Sequence, residues 1–159
     1  AYETARVITE AKPDYVRLRT LEIFPGTPLA EAVAAGGFTE ATEEQVVREI
    51  RIIVAHADGP MTLVSDSASN LLDVGGRLPQ DREKTLSVID GYLAMSGREK
   101  LEFSLLSRLQ SFLGQYGNLS PDIARIVAPY LGEDSINTSR MSEELLHGTI
   151  RLIRSKLMP

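Results

Sequence analysis

Residues 15–24 read YVRLRTLEIF, a run of β-branched, aromatic and leucine side chains with polar ones interleaved. This composition and alternation predict a β-strand. The preceding residues 2–11 have an amphipathic helical pattern that stops at Lys12-Pro13-Asp14, since proline confines the residue before it to extended backbone. A helix that leads directly into a strand is the second half of a βαβ unit. We therefore expect a partner strand encoded ahead of residue 2.

The chain between residues 25 and 66 continues the alternation of helix and strand. Phe24-Pro25-Gly26-Thr27-Pro28 is a turn followed by a helix start, with Thr27 as the N-cap. Thr42 and Gln45 have the spacing of a capping box, and the apolar residues after them have helical spacing. Residues 61–66, MTLVSD, predict a second strand. The first part of the chain is therefore of the α/β class.

After the second strand the pattern changes to helices alone. Helix starts are expected at residues 79–81, at a second capping box formed by Ser96 and Glu99, at Ser120 and near Ser139. The composition shifts near residue 95. We therefore divide the chain into an α/β domain, residues 1–95, and an all-α extension, residues 96–159, and expect a helix-rich α/β protein.

Composition excludes several kinds of chemistry. The 159 residues contain no cysteine and two histidines, so disulfides, thiolate nucleophiles and cysteine-ligated metal sites are excluded within this chain. The formal net charge is −5, and lysine and arginine are scattered, so no clear nucleic-acid surface is expected. No apolar run reaches the roughly 18–20 residues of a membrane span. We expect a cytoplasmic protein without a membrane partner.

Two arginines in the first predicted strand are candidates for anion binding. Side chains alternate along a strand with period two, so Arg17 and Arg19 would share one face. Two guanidinium groups there could receive a carboxylate or a phosphate with bidentate geometry. The alternative is an exposed strand face, or pairing with acids such as Glu22.

Residues 65–70, SDSASN, follow the second predicted strand and are densely polar. Loops at the carboxyl ends of parallel strands commonly hold ligands. A turn in which these side chains bond to the local backbone would have the same composition. Both interpretations stay open for Ser65, Asp66 and Asn70. A small metal-independent enzyme built around Ser65, Asp66 and the arginines is a weaker alternative, because no base stands at a suitable spacing.

The order of these segments resembles a known group of enzymes. YVRLRTL, then FPGTPL, then VSDSASNLL and GRLPQDR occur in one sequence. This is similar to the late part of radical S-adenosylmethionine proteins related to the oxygen-independent coproporphyrinogen oxidases. In that group a Ser-Asp-His-Ala-Ser-Asn segment occurs, and Ser67 stands here in place of its histidine. The group's CxxxCxxC signature is absent, and residues 97–159 have no recognised counterpart in it.

The resemblance implies a fold, cofactors and partners. The two strands would be the last βα units of a partial (β/α)6 barrel, followed by the all-α extension. The parent enzyme would use a [4Fe–4S] cluster and S-adenosylmethionine, while this C-terminal portion would hold neither cofactor itself and would not be catalytic alone. Its partner would be the rest of the parent barrel. The polar residues near the cofactor or substrate would be Arg17, Arg19, Thr20, Ser65, Asp66 and Asn70.

Two further expectations concern association. A portion that lacks its first strands should expose a sheet edge, and we therefore expect it to form homo-oligomers. The alternative function is a free-standing helical protein-interaction module that acts through residues 96–159.

Overall fold

The computed structural model describes residues 1–132 and 135–157, which form two compact units divided between Ala94 and Met95. The first unit contains four helices and three strands: α1 (Tyr2–Ala11), β1 (Tyr15–Arg17), α2 (Pro28–Ala34), α3 (Glu43–His56), β2 (Met61–Val64), β3 (Gly76–Leu78) and α4 (Arg82–Leu93). In the described part of the second unit lie α5 (Gly97–Tyr116), α6 (Pro121–Val127), α7 (Glu143–Arg154) and two 3₁₀ turns, Ala128–Tyr130 and Thr138–Arg140.

The three strands form one small sheet in the order β1-β2-β3. β1 and β2 are parallel, with Tyr15 opposite Thr62 and Arg17 opposite Val64. β2 and β3 are antiparallel, with Thr62 opposite Arg77. The carboxyl ends of β1 and β2 therefore lie at the same edge, and β3 runs in the opposite direction beside them.

The prediction of a partial (β/α)6 barrel is wrong. The described residues form a helix-rich fold with one parallel strand pair, and the third strand is antiparallel, so successive parallel βα units are not formed. The first predicted strand is also much shorter than residues 15–24. β1 ends at Arg17 because the backbone beyond Leu18 leaves the ladder, and the N–H of Thr20 bonds to a side chain instead.

Helices cover one face of the sheet. Met61 and Leu63 of β2 and Leu78 of β3 are buried, whereas Thr62 and Val64 are only partly buried. α4 contacts β3, α3 packs on α4, and α1 packs on α3. The helices contribute Val47, Ile50, Val54 and Ile89 to the core. Alternation along β2 thus separates a core face from a more accessible face.

Local helix signals are confirmed where a side chain caps a backbone N–H. Thr42 and Gln45 form the reciprocal capping box at the start of α3, and Ser96 and Glu99 form the same motif at the start of α5. The hydroxyl of Thr27 accepts a hydrogen bond from the N–H of Ala30 at the start of α2. Each contact satisfies an N–H that the helix itself leaves unpaired.

The second unit is built on α7, which packs against α5 and α6. Its core includes Leu105, Leu109 and Phe112 of α5 together with Leu146 and Ile153 of α7. The prediction that the last helix begins near Ser139 is wrong, because residues 138–140 form a 3₁₀ turn and α7 begins at Glu143, capped by Ser142.

Candidate functional site

An ion pair joins the carboxyl ends of the two parallel strands. Nε of Arg17, the last residue of β1, donates to Oδ1 of Asp66 (2.8 Å), and its Nη2 donates to Oδ2 (2.7 Å). Asp66 follows β2 by two residues. Both side chains are 53% exposed, so the pair lies at the surface. The bidentate geometry fixes the two planar groups relative to one another.

The charges at this strand end affect each other. The hydrogen bond from Arg17 lowers the pKa of Asp66, its positive charge and that of nearby Arg19 lower the pKa further, and only partial desolvation opposes the shift. The pKa of Arg17 is raised, first by the hydrogen bond to Asp66 and then by the negative charge of Asp66. Asp66 is consequently ionised at neutral pH and is a hydrogen-bond acceptor there, not a general acid.

Arg19 lies close to the Arg17–Asp66 pair, but its guanidinium has no bonded partner among the described residues. Its side chain is exposed, and within residues 1–132 and 135–157 it makes no hydrogen bond or ion pair. The sequence predicts that Arg19 shares a strand face with Arg17, but β1 ends at Arg17 and Arg19 lies outside the strand. Arg19 belongs instead to the loop that follows β1, and its position near Asp66 is set by that loop.

Asn70 ties the loop after β1 to the loop after β2. Its Oδ1 accepts hydrogen bonds from the backbone N–H of Thr20 (2.8 Å) and from the Thr20 hydroxyl (3.1 Å). Its Nδ2 donates to the carbonyl oxygen of Leu18 (3.0 Å) and to Oγ of Ser65 (2.9 Å). Asn70 is only 5% exposed. It is a buried clamp that positions the two loops.

Ser65 belongs to the same buried network. Its hydroxyl donates to the carbonyl oxygen of Leu72 (2.9 Å) and accepts from Asn70, and the residue is 4% exposed. Because its proton is committed to a carbonyl and its other partner is an amide N–H, neither partner is a base that could activate it as a nucleophile. Ser65 therefore holds the loop, and the structure gives no support to the enzyme built around it.

The six predicted site residues are thus close together but fall into two groups. Arg17, Arg19 and Asp66 are exposed and could meet a ligand, whereas Ser65 and Asn70 are buried and Thr20 is half-buried against Asn70. Sequence reasoning missed the carbonyl oxygens of Leu18 and Leu72, which receive two of the hydrogen bonds. No sequence signal marks a backbone carbonyl as a partner.

The residues do not fit an iron–sulfur cluster. The sequence has no cysteine to ligate iron. In the described residues there is also no group of three or more His, Cys, Asp or Glu side chains placed to hold a metal ion. His56 bonds through Nδ1 to the carbonyl of Ile52 and contacts the ring of Tyr2, and His147 is exposed on α7.

No described helix has both the length and the apolar character needed to cross a bilayer. Comparison with models of protein families, with curated proteins and with solved structures gives no match. The relation to radical S-adenosylmethionine proteins therefore stays a prediction that depends on the order of the motifs.

Proposed function

We propose that this chain is the C-terminal portion of a radical S-adenosylmethionine protein, not catalytic alone, and that its strand-end residues bind a carboxylate of the cofactor or the substrate. The observation that carries the binding role is the exposed guanidinium of Arg19, which has no partner among the described side chains and lies beside the Arg17–Asp66 ion pair. The motif order supports the parentage.

The ion pair decides which arginine is available. Asp66 occupies the fork of Arg17 with two hydrogen bonds, so Arg17 would have to give up a partner before it bound a ligand. Arg19 would not. Arg17, Arg19 and Asp66 together carry one net positive charge, which favours an anion. A guanidinium binds a carboxylate through two parallel hydrogen bonds, a geometry that a lysine cannot supply.

The buried clamp supports this role. Asn70 holds the N–H of Thr20 and the carbonyl of Leu18, the residues on either side of Arg19. A binding group that is held by packed neighbours loses less conformational freedom when the ligand arrives. Thr20, Ser65 and Asn70 are on this proposal positioning residues, and Arg19 is the residue that contacts the ligand.

The cofactor chemistry would come from the parent protein. A [4Fe–4S] cluster with S-adenosylmethionine supplies a radical when bound, and this chain contributes orientation only. The proposed partner is the remainder of the parent protein. A cytoplasmic location belongs to the same proposal, because cysteines must stay reduced to ligate a cluster and the cytosol keeps thiols reduced.

Arginine side-chain NMR tests the binding role. Succinate, added to the full chain labelled with ¹⁵N, should shift the Nε–Hε signal of Arg19 in a saturable way. Arg19→Gln should abolish binding at this edge, and Arg125→Gln should not, since Arg125 is an exposed arginine of α6. Equal shifts at Arg19 and Arg125 would reduce the effect to general ionic screening and contradict the proposal.

The coding sequence tests the parentage separately. Reading the genomic DNA upstream of the codon for Ala1 should show an open frame that encodes three cysteines in the CxxxCxxC spacing. A stop codon in frame directly upstream, or an upstream segment without these cysteines, would refute the relation. Neither outcome alters the binding test at Arg19.

One observation favours the alternative function, a helical protein-interaction module. Leu106 and Leu113 of α5 are 42% and 43% exposed, and their spacing of seven residues puts them on the same side of the helix. A module of this kind should fold by itself. Residues 96–159 expressed alone should then give a cooperative urea transition, and a chain without such a transition would exclude this function.

A further inference from the structure

A cavity of about 560 Å³ opens at the end of the sheet opposite to the strand-end arginines. It lies where β1 and β2 begin, and its lining includes Asp14, Tyr15, Thr62, Arg77 and Gln80. The volume is within the range of about 300–1,000 Å³ that is typical of small-molecule sites. Pro60 and the buried residues Met61 and Leu78 complete the lining, and no described residue of α3 or α4 belongs to it.

The cross-strand pairing places three of these residues in a row. Tyr15 is opposite Thr62, and Thr62 is opposite Arg77, so the three side chains share one face of the sheet. Two strand spacings of roughly 4.8 Å separate β1 from β3. Asp14 directly precedes β1 and Arg77 belongs to β3, so the two charged residues line the cavity from the strands on either side of β2.

Both charges that face this cavity are unpaired. Asp14 and Arg77 are exposed, and neither side chain has a hydrogen bond or an ion pair within residues 1–132 and 135–157. They do not pair with each other across the cavity. A carboxylate on one side and a guanidinium on the other are complementary to a ligand that carries an ammonium group and a carboxylate group.

The backbone of both residues is held in place. The carbonyl of Asp14 accepts from the N–H of Thr62 (2.8 Å). The N–H of Arg77 donates to Oδ2 of Asp81 (2.8 Å), and the carbonyl of Arg77 accepts from the N–H of Asp81 (2.7 Å). The two charged side chains therefore project from fixed points, and only their own rotamers have to be ordered when a ligand binds.

We propose that this cavity binds a zwitterionic amino acid, with its carboxylate on Arg77, its ammonium group on Asp14 and its side chain against the ring of Tyr15. The ring of Tyr15 is 72% exposed and offers an apolar surface to an aromatic or aliphatic side chain. This site is independent of the carboxylate site at Arg19, because the two lie at opposite ends of the parallel strands.

Three probes test the proposal on the full chain. L-phenylalanine carries both charges, L-phenylalaninamide lacks the carboxylate, and N-acetyl-L-phenylalanine lacks the ammonium group. Titrations followed by ¹H–¹⁵N NMR should show saturable shifts at Tyr15, Thr62 and Gln80 with L-phenylalanine. Each blocked probe should bind about tenfold more weakly, as expected when one charge-assisted contact is lost.

The variants link each charge of the ligand to one residue. Arg77→Gln should weaken L-phenylalanine about tenfold and leave L-phenylalaninamide unchanged, because the amide has no carboxylate for Arg77 to hold. Asp14→Asn should weaken L-phenylalanine and leave N-acetyl-L-phenylalanine unchanged. Arg125→Gln, the matched arginine control, should change none of the three affinities.

Three results would overturn the proposal: no saturable shift with L-phenylalanine, equal affinity for all three probes, or an equal loss for all three probes in Arg77→Gln. The amide spectra of the free variants show in the same samples that the sheet is intact. A variant that disturbs it is replaced by Arg77→Lys, which keeps the charge, loses the bidentate fork and should give an intermediate affinity.

Discussion

Substitution of Asn70 by alanine is the most informative perturbation of the strand-end region. The side chain makes four hydrogen bonds, to the N–H and hydroxyl of Thr20, the carbonyl of Leu18 and the hydroxyl of Ser65. One such hydrogen bond contributes a net stabilisation of about 0.5–1.5 kcal/mol. A buried donor or acceptor that loses its partner destabilises the protein by more than that. Since the four bonds share one side chain, their contributions overlap. We expect Asn70→Ala to lower the free energy of unfolding by about 2–4 kcal/mol.

Urea unfolding, followed by NMR signals of residues 1–94, measures this loss in the unit that contains Asn70. The amide proton of Thr20 should also exchange faster in the variant, because its acceptor is gone. Asn118→Ala is the matched control, since Asn118 is exposed, and it should change the free energy by less than about 0.5 kcal/mol. If Asn70→Ala unfolds at the same urea concentration as the wild type, Asn70 is not a clamp and the loop positions have another cause.

Three further predictions concern the rest of the molecule. Gly76→Ala should destabilise the chain by about 1–3 kcal/mol in urea unfolding, because φ is +154° and a Cβ would lie 2.7 Å from the Cβ of Asp81. Gly91→Ala in α4, where an added Cβ contacts no other atom, should raise the free energy of unfolding by about 0.5–1 kcal/mol. Equal changes in that free energy for the two variants would refute the clash with Asp81 at position 76. The hydrogen bond from Ser120 and then that from Lys156 hold the pKa of Asp122 well below its ordinary value of 3.8, so this stabilisation is present above pH 4 and is lost as the pH falls through the folded pKa. In the Asp122→Asn variant the free energy of unfolding should therefore fall less steeply as the pH drops below about 4. The same pH dependence as in the wild type would show that Asp122 does not contribute this stabilisation. The outer edge of β1 leaves backbone groups unpaired among the described residues, so light scattering should detect self-association, and a monomer mass at high concentration would exclude it.

Local signals in the sequence were reliable wherever a side chain acts on its own helix. The capping residues Thr42, Ser96 and Thr27 act within three residues of themselves, and the structure confirms each. The amphipathic pattern also placed α1 correctly at Tyr2–Ala11. These features depend on contacts between near neighbours, which a single sequence displays directly.

The sheet was predicted less well because its limits depend on distant contacts. The alternation in residues 15–24 does not reveal that the N–H of Thr20 bonds to Asn70, fifty residues away, and so it cannot show that β1 stops at Arg17. β3 was missed because Gly76-Arg77-Leu78 is short and has no β-branched residue. Its antiparallel direction is what makes the barrel prediction wrong.

The candidate site was predicted in part. The polarity of residues 65–70 identified Ser65, Asp66 and Asn70, but polarity does not distinguish a buried clamp from an exposed ligand contact. Burial depends on the loop after β1, which covers Asn70 through Leu18 and Thr20. The unpaired charges of Asp14 and Arg77 were missed for a related reason, since only the strand register brings them to one cavity.

The most direct test of the binding role is the succinate titration of the full chain, read at the arginine Nε–Hε signals. We expect a saturable shift at Arg19, a much smaller one at Arg17 because Asp66 already occupies its guanidinium, and none beyond general screening at Arg125. A larger shift at Arg17 than at Arg19, or identical shifts at all three arginines, would show that Arg19 is not the residue that binds the carboxylate.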